Sequence, residues 1–343
     1  MAREIFSRTF NGERTHTILT NIMMLNEISI EILQRCPNRC IYCSSHSNPQ
    51  AAHIISFETI KSIIDDAKAL GCKTVCLSGG EPFLHPQILE IISYIAQQHL
   101  ACYVYTSGIF MKDDIYSSLP FEYIESVRGM VDKIIFNVEA DTPALYNQIM
   151  GTDVDGFNLM KKSIKDCVAS GLNVEAHVVP MRINFNHLEA IFDMCYQLGV
   201  SKVSVLRLVL QGRALENLSL VKLTNKENIE VSKLIRTLHD TNSGKVRIGL
   251  PYSDSNCRIY CKAASDKINI RYDGNVYPCE VFKDDILNAK LGYNPDNVCK
   301  NRFYDIYQKS PYLIVVRKGI EAFKKEDGEE VCYGQFKMNK YEK

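Results

Sequence analysis

The chain has no net charge, no apolar run of membrane-spanning length, and no repeat, low-complexity tract or flexible linker. Forty Lys and Arg offset forty Asp and Glu, so no broad field draws it toward nucleic acid or a membrane surface, and neither partner is expected. The opening Met1-Ala2-Arg3-Glu4-Ile5 puts charges where a signal peptide needs an apolar core, which gives the expectation of a cytoplasmic protein. With 46% hydrophobic and 23% charged residues over 343 positions, the composition argues against disorder. It provides for one large core, or for a barrel with an appended domain.

Against these absences stand thirteen cysteines. In a small secreted chain they would be a disulfide scaffold; in a large leaderless one they point to metal or redox chemistry. Cys72, Cys76, Cys102, Cys167 and Cys195 fall in helical or strand patterns and read as buried small hydrophobes. Cys36, Cys40 and Cys43 differ, forming a CxxxCxxC run directly after the strand-like segment 28–33. Three thiolates can hold three corners of an iron–sulfur cube and leave the fourth iron open to a small molecule. Together with His46, the same cysteines would make a closed Cys3His zinc site. Spacing alone leaves both open.

From residue 28 to about 242, short β-rich runs alternate with longer amphipathic ones, the pattern of βα units around a parallel sheet. Candidate strands at 28–33, 73–78, 101–106, 133–139, 172–179 and 202–208 predict an α/β fold, a partial (β/α)6 barrel of the TIM type. Ser56 is an N-cap and Gly71 a stop for a helix with Ile60, Ile63, Ile64, Ala67 and Leu70 on one face; Gly171 and Gly199 end later helices the same way. In such folds the C-terminal ends of the strands form one active face. The cysteine run follows the first strand, and Gly79-Gly80-Glu81-Pro82 follows the second, where small residues let a ligand approach the backbone. The expected division is a lead-in over 1–27, a barrel over 28–224, a connecting helix and strand over 225–250, and a small cysteine-rich domain over 251–343. In the last, 268–272 and 275–278 flank Asp273-Gly274 as a hairpin.

With CxxxCxxC, an aromatic (Tyr42) before the third cysteine, and GGEP one strand later, the chain resembles the radical S-adenosylmethionine (SAM) enzymes. The resemblance implies a [4Fe-4S] cluster on Cys36, Cys40 and Cys43, with SAM chelating its open iron. An electron from that cluster would cleave SAM to methionine and a 5′-deoxyadenosyl radical, which abstracts a substrate hydrogen atom. It implies that backbone near Tyr42 lies against adenine, and that Gly79, Gly80 and Glu81, in the motif closed by Pro82, receive the methionine amino group. Thr106-Ser107-Gly108 stands where the family often carries Thr-Asn-Gly, and Asn137-Val138-Glu139-Ala140 where it often carries Ser-x-Asp-Gly. Thr106, Ser107, Asn137 and Glu139 are therefore implied as SAM contacts, the last two sharing a strand face. Arg207 and the stretch Gln211-Gly212-Arg213-Ala214 follow strand six, where related enzymes place an arginine near the SAM carboxylate; Arg213 is the candidate.

Cys261, Gly274 and Cys279 give Cx12Gx4C, which resembles the start of a SPASM or twitch domain and implies an auxiliary [4Fe-4S] cluster. The full SPASM pattern continues with CxxCx5CxxxC, whereas only Cys299 and Cys332 follow here. One auxiliary cluster is expected, on Cys261, Cys279 and Cys332, with Cys257 or Cys299 as fourth ligand and the one left over a candidate hydrogen-atom donor. The family further implies a flavodoxin- or ferredoxin-type reductant. The leading substrate expectation is a ribosomally made peptide that is crosslinked, given a thioether or epimerised. About 27 residues precede strand one, too few for a separate leader-binding domain, so a peptide would dock on the barrel or tail. The alternative is a sugar, cyclitol or nucleotide that is oxidised or epimerised. The molybdopterin-pathway member fits less well, since its glycine-rich tail is absent from 338–343.

Overall fold

The computed structural model describes residues 24–152, 154–242, 244–248, 261–325 and 332–334. Its strands, in chain order, are β1 (Glu27–Leu33), β2 (Thr74–Gly79), β3 (Ala101–Thr106), β4 (Ile109–Lys112), β5 (Ile115–Ser118), β6 (Lys133–Asn137), β7 (Val174–Val178), β8 (Lys202–Val205), β9 (Val246–Ile248), β10 (Lys267–Ile270) and β11 (Val276–Tyr277). All six strands expected from the sequence are present and pair in the order β1-β2-β3-β6-β7-β8, each neighbour parallel. Three strands are shorter than expected: β6 stops at Asn137 rather than residue 139, β7 spans Val174–Val178 rather than 172–179, and β8 stops at Val205 rather than 208. The β4–β5 pair is a separate antiparallel hairpin.

Helices cover the outside, and their boundaries follow local chemistry. Ser56 caps the helix Phe57–Ala69, its side chain accepting from Thr59 N at 3.3 Å, and Ile60, Ile63, Ile64 and Ala67 are buried. Gly71, Gly171 and Gly199 follow their helices at φ of 91°, 77° and 89°, the left-handed region that glycine enters without a Cβ penalty. Among the described residues no helix is long and apolar enough to cross a membrane.

Both ends of the barrel sheet are longer than the sequence implied. β9, expected as part of a connector, pairs in parallel with β8. The hairpin β10–β11, expected inside a distinct domain, joins β1 in parallel, with Ile28 opposite Ile268 and Ser29 opposite Asn269, so one nine-stranded sheet crosses the molecule. Lys267 Nζ lies 3.0 Å from Glu27 Oε1 across the β1–β10 join. Asp66, buried in the helix 57–69, accepts from the Arg302 guanidinium and from Tyr304 N at 3.1 Å.

Side chains alternate between the two faces of this sheet. Ile28, Ile30 and Ile32 enter the apolar core under the helices. The opposite face of the strands carries Glu31, Cys76, Tyr105, His177, Ser204 and Asn269, and the barrel lumen is accordingly polar.

Candidate functional site

The loop after β1 carries Cys36, Cys40 and Cys43 at the C-terminal end of the parallel strands, and it is held from three sides. On the first, Arg39 N and Ile41 N donate to the carbonyls of Met150 and Ile149, both at 2.9 Å, at the end of the helix Pro143–Met150. On the second, Gly80 N donates to Leu33 O at 2.7 Å and Glu81 N to Arg35 O at 2.8 Å. A Cβ on Gly80 would stand 2.0 Å from Arg35 O, and one on Gly79 2.3 Å from Leu33 O. The glycines are thus required by the chain's own backbone, where the expected close approach was that of a ligand.

The third side is the segment after β8. Arg213 donates from N to Cys43 O (3.0 Å), from Nε to Cys40 O (2.8 Å) and from Nη2 to Ser47 O (2.8 Å). Asn217 Nδ2 donates to Ile41 O at 3.2 Å, and a Cβ on Gly212 would fall 2.6 Å from Cys43 O. The expectation for Arg213 was a guanidinium directed at a SAM carboxylate. Two of its nitrogens are instead committed to loop carbonyls, which makes it first a fastening for the cysteine loop. Arg207 is half-buried on the same segment, with Nε unpartnered.

Two buried carboxylates brace the face. Glu81 accepts from Thr106 Oγ1 (2.7 Å), Ser107 N (2.8 Å), Ser107 Oγ (2.6 Å) and Phe83 N (3.3 Å), fixing the end of β3 against the GGEP turn, in which Pro82 begins a short 3-10 helix. Burial pushes its carboxyl above the usual range, and these four bonds oppose the shift. Glu139 lies past the end of β6 and accepts from Tyr42 Oη at 3.1 Å and Val179 N at 2.8 Å. Burial raises it to about 8 against those bonds. Both carboxylates were expected to meet SAM directly; their oxygens are already engaged with the protein. Asn137 is half-buried at the end of β6. Asn184, overlooked in the sequence, donates to Glu139 O at 3.0 Å and Val179 O at 3.2 Å and holds that corner.

The thiols suit a metal group. Burial pushes Cys40 up to about 12, with Cys43 adding to the shift and Arg213 opposing it, and pushes Cys36 well above its usual range, with Cys40, Glu81 and Cys43 adding. Crowded buried thiols ionise readily where a cationic metal centre takes up the charge. A single ion needs donors that converge on a point, and among the described residues no three Cys, His, Asp or Glu side chains do so. His46, the fourth member of the zinc alternative, turns instead toward Glu216, 3.8 Å from Nδ1 to Oε1.

Beneath the loop the lumen is lined with paired and unpaired polar groups. Lys133 meets Glu175 at 2.8 Å, Lys267 meets Glu280 at 3.4 Å, and the Tyr105 and His177 rings lie 5.3 Å apart. Burial, with Arg247, Lys267 and Lys133 acting in the same sense, lowers His177 to about 3, so its imidazole is neutral. Both polar atoms of the Asn269 amide and Ser204 Oγ are buried without a partner. Cys72, Cys102, Cys167 and Cys195 lie in the apolar core as expected, whereas Cys76, equally buried, faces this lumen. A polar lumen was legible in principle from Ile28-Ser29-Ile30-Glu31-Ile32, since a parallel strand covered on both faces by apolar residues would not alternate.

In the C-terminal segment, burial raises the Cys279 thiol well above its usual range, and Glu280, Cys332 and Cys261 reinforce it, so Cys261 and Cys332 both lie near Cys279. Cys299 is exposed, its sulfur beside Gly274 at the hairpin turn. Cys257 lies outside the described residues.

The profile of the radical SAM superfamily matches residues 30–195, and that of the SPASM iron–sulfur cluster-binding domain matches residues 261–334. A protein from Ruegeria pomeroyi named PqqA peptide cyclase is 26% identical over 297 residues, covering 84% of this chain and 75% of its own. A probable GTP 3′,8-cyclase from Methanococcus maripaludis is 22% identical over 308 residues, covering 84% and 96%. The crystal structure of Streptococcus suis SuiB bound to precursor peptide SuiA superposes with a TM-score of 0.68 at 14% identity, over 86% of this chain and 67% of that one. At that identity the likeness is one of fold.

Proposed function

This chain belongs to the radical SAM superfamily and carries a SPASM iron–sulfur cluster-binding domain, and we propose that it acts on a ribosomally made peptide, installing a crosslink, a thioether or an epimerised residue. It is a radical SAM enzyme with iron–sulfur clusters. When bound, the [4Fe-4S] group and SAM supply a 5′-deoxyadenosyl radical that removes a hydrogen atom from the substrate.

The chain's own residues bind, orient and enclose. In this reading Cys36, Cys40 and Cys43 are the cluster ligands, and Arg213 and Asn217 keep their loop in register through its carbonyls. Glu81 positions Thr106 and Ser107 beside Gly79 and Gly80, the residues that would receive the methionine end of SAM. Tyr42 and Glu139 lock the far side of the loop to the end of β6, with Asn137 left for the ribose. Cys261, Cys279 and Cys332 would hold one auxiliary cluster. Cys257 or Cys299 would supply the fourth ligand.

The polar lumen carries the substrate reading. Unpaired amide and hydroxyl groups at Asn269 and Ser204 suit a substrate that brings hydrogen-bonding groups of its own. A peptide has them at every residue, and the relatives include a peptide cyclase and a fold neighbour holding a precursor peptide. The second reading, a nucleotide, sugar or cyclitol, is supported by the probable GTP cyclase.

The test incubates anaerobically loaded protein with SAM, dithionite and the peptide encoded by a short reading frame beside its gene. The expected result is 5′-deoxyadenosine in step with a peptide that has lost hydrogen or taken deuterium from D2O, both abolished by Cys40→Ala. An unchanged peptide alongside consumption of GTP or a sugar would overturn the peptide reading.

A further inference from the structure

Side chains that neither cysteine set uses as a ligand join the two sets. Lys283, four residues after Cys279, is buried and pairs with the carboxylate of Glu31 on β1. Its Nζ also donates to Ser45 Oγ at 3.0 Å, and that hydroxyl donates to Glu31 at 3.0 and 3.1 Å. Ser45 lies two residues beyond Cys43. A second connection starts beside the first: Gln211 Nε2 donates to the carbonyl of Glu280 at 2.7 Å. The residues that follow, Gly212 and Arg213, are those packed on the carbonyls of Cys40, Cys43 and Ser47. Both connections therefore start within four residues of Cys279 and end on the segment 40–47.

That segment has little regular structure, and much of its hold comes from donors on other elements. A displacement of Lys283 would leave the buried Glu31 carboxylate without its cation, which is costly inside a protein, and would take from Ser45 Oγ the donor that ties it to the C-terminal segment. We propose that Lys283, acting through Ser45, is a positioning residue by which the seat of the auxiliary cluster sets the shape of the radical-cluster loop. SAM affinity at Cys36–Cys43 then depends on the C-terminal segment. The proposal rests on the reading of those three cysteines as the SAM-binding centre.

The experiment measures the SAM dissociation constant on anaerobically loaded full-length protein, from the change SAM produces in the electron paramagnetic resonance of the reduced cluster, with iron and sulfide counted in each sample. Wild type is compared with Ser45→Ala, Lys283→Met and the pair Glu31→Gln/Lys283→Met. Ser45→Ala keeps the ion pair and cuts its tie to the loop; the double variant removes both charges and leaves neither stranded. Each is expected to bind SAM at least about fivefold more weakly at unchanged iron, about the net worth of one hydrogen bond. Affinities within about twofold of wild type in Ser45→Ala and the double variant, at full iron, would overturn the proposal. If Lys283→Met loses iron, those two variants decide. A wild type whose signal ignores SAM would instead overturn the functional reading, which keeps the two failures apart.

Discussion

Two carboxylates at the site show how much a single residue's chemistry depends on its enclosure. Glu81 and Glu139 are both fully buried, yet among the described residues neither has a cationic partner; hydroxyl and backbone donors satisfy them. For Glu139, whose ordinary value is 4.5, burial raises the folded-state value to about 8. Between those limits the folded protein holds a proton that the unfolded chain has released. The contribution to stability is therefore complete below about pH 4.5 and is lost as pH rises through about 8. Denaturant unfolding of wild type is expected to show stability falling across this window, by at most about 1.4 kcal/mol per pH unit from this group. Glu139→Gln, which cannot ionise, should take that slope out. A slope unchanged in Glu139→Gln would assign it to other groups.

At the scale of elements, the GGEP turn and the cysteine loop form one unit. The sequence showed both motifs and their place at the ends of successive strands, but not why the glycines are there. Motif spacing is local, whereas the carbonyl of Arg35 meets Gly80 only once β1 and β2 pair. Gly80→Ala would place a methyl group 2.0 Å from that carbonyl, and backbone on both sides cannot yield as a side chain could. Overpacking of this kind costs about 1–3 kcal/mol or more, and here it is absorbed by the loop that carries the thiols. Gly80→Ala is expected to keep its far-UV circular dichroism and to lose as much iron as the Cys36/Cys40/Cys43→Ala variant. Full iron retention would mean that the loop tolerates the shift and that the glycine serves a ligand after all. Arg213 carries the same lesson. Its position after β8 was legible, and its commitment to Cys40 and Ser47, more than 160 residues away in sequence, was not.

For the whole molecule, six strands, their parallel order and the N-cap at Ser56 could be read from periodicity and caps, because those signals are written within a dozen residues. The parallel pairing of β10 with β1 could not, since it joins segments some 240 residues apart and the hairpin signal at Asp273-Gly274 is the same in an independent domain. That pairing bears on how the molecule unfolds. Domains joined by modest polar interfaces are expected to come apart separately, but here the C-terminal segment shares the sheet, the buried Glu31–Lys283 pair and the Asp66–Arg302 pair with the barrel. Releasing it would bare the edge of β1 and strand charges on both sides. We therefore expect a single cooperative transition in urea under anaerobic conditions. Far-UV circular dichroism, emission from the eighteen tyrosines (the chain has no tryptophan) and iron–sulfur absorbance should share one midpoint. A cluster absorbance lost well before the dichroism would show that the C-terminal segment leaves first, and that its hydrogen bonds to β1 are the weakest in the sheet.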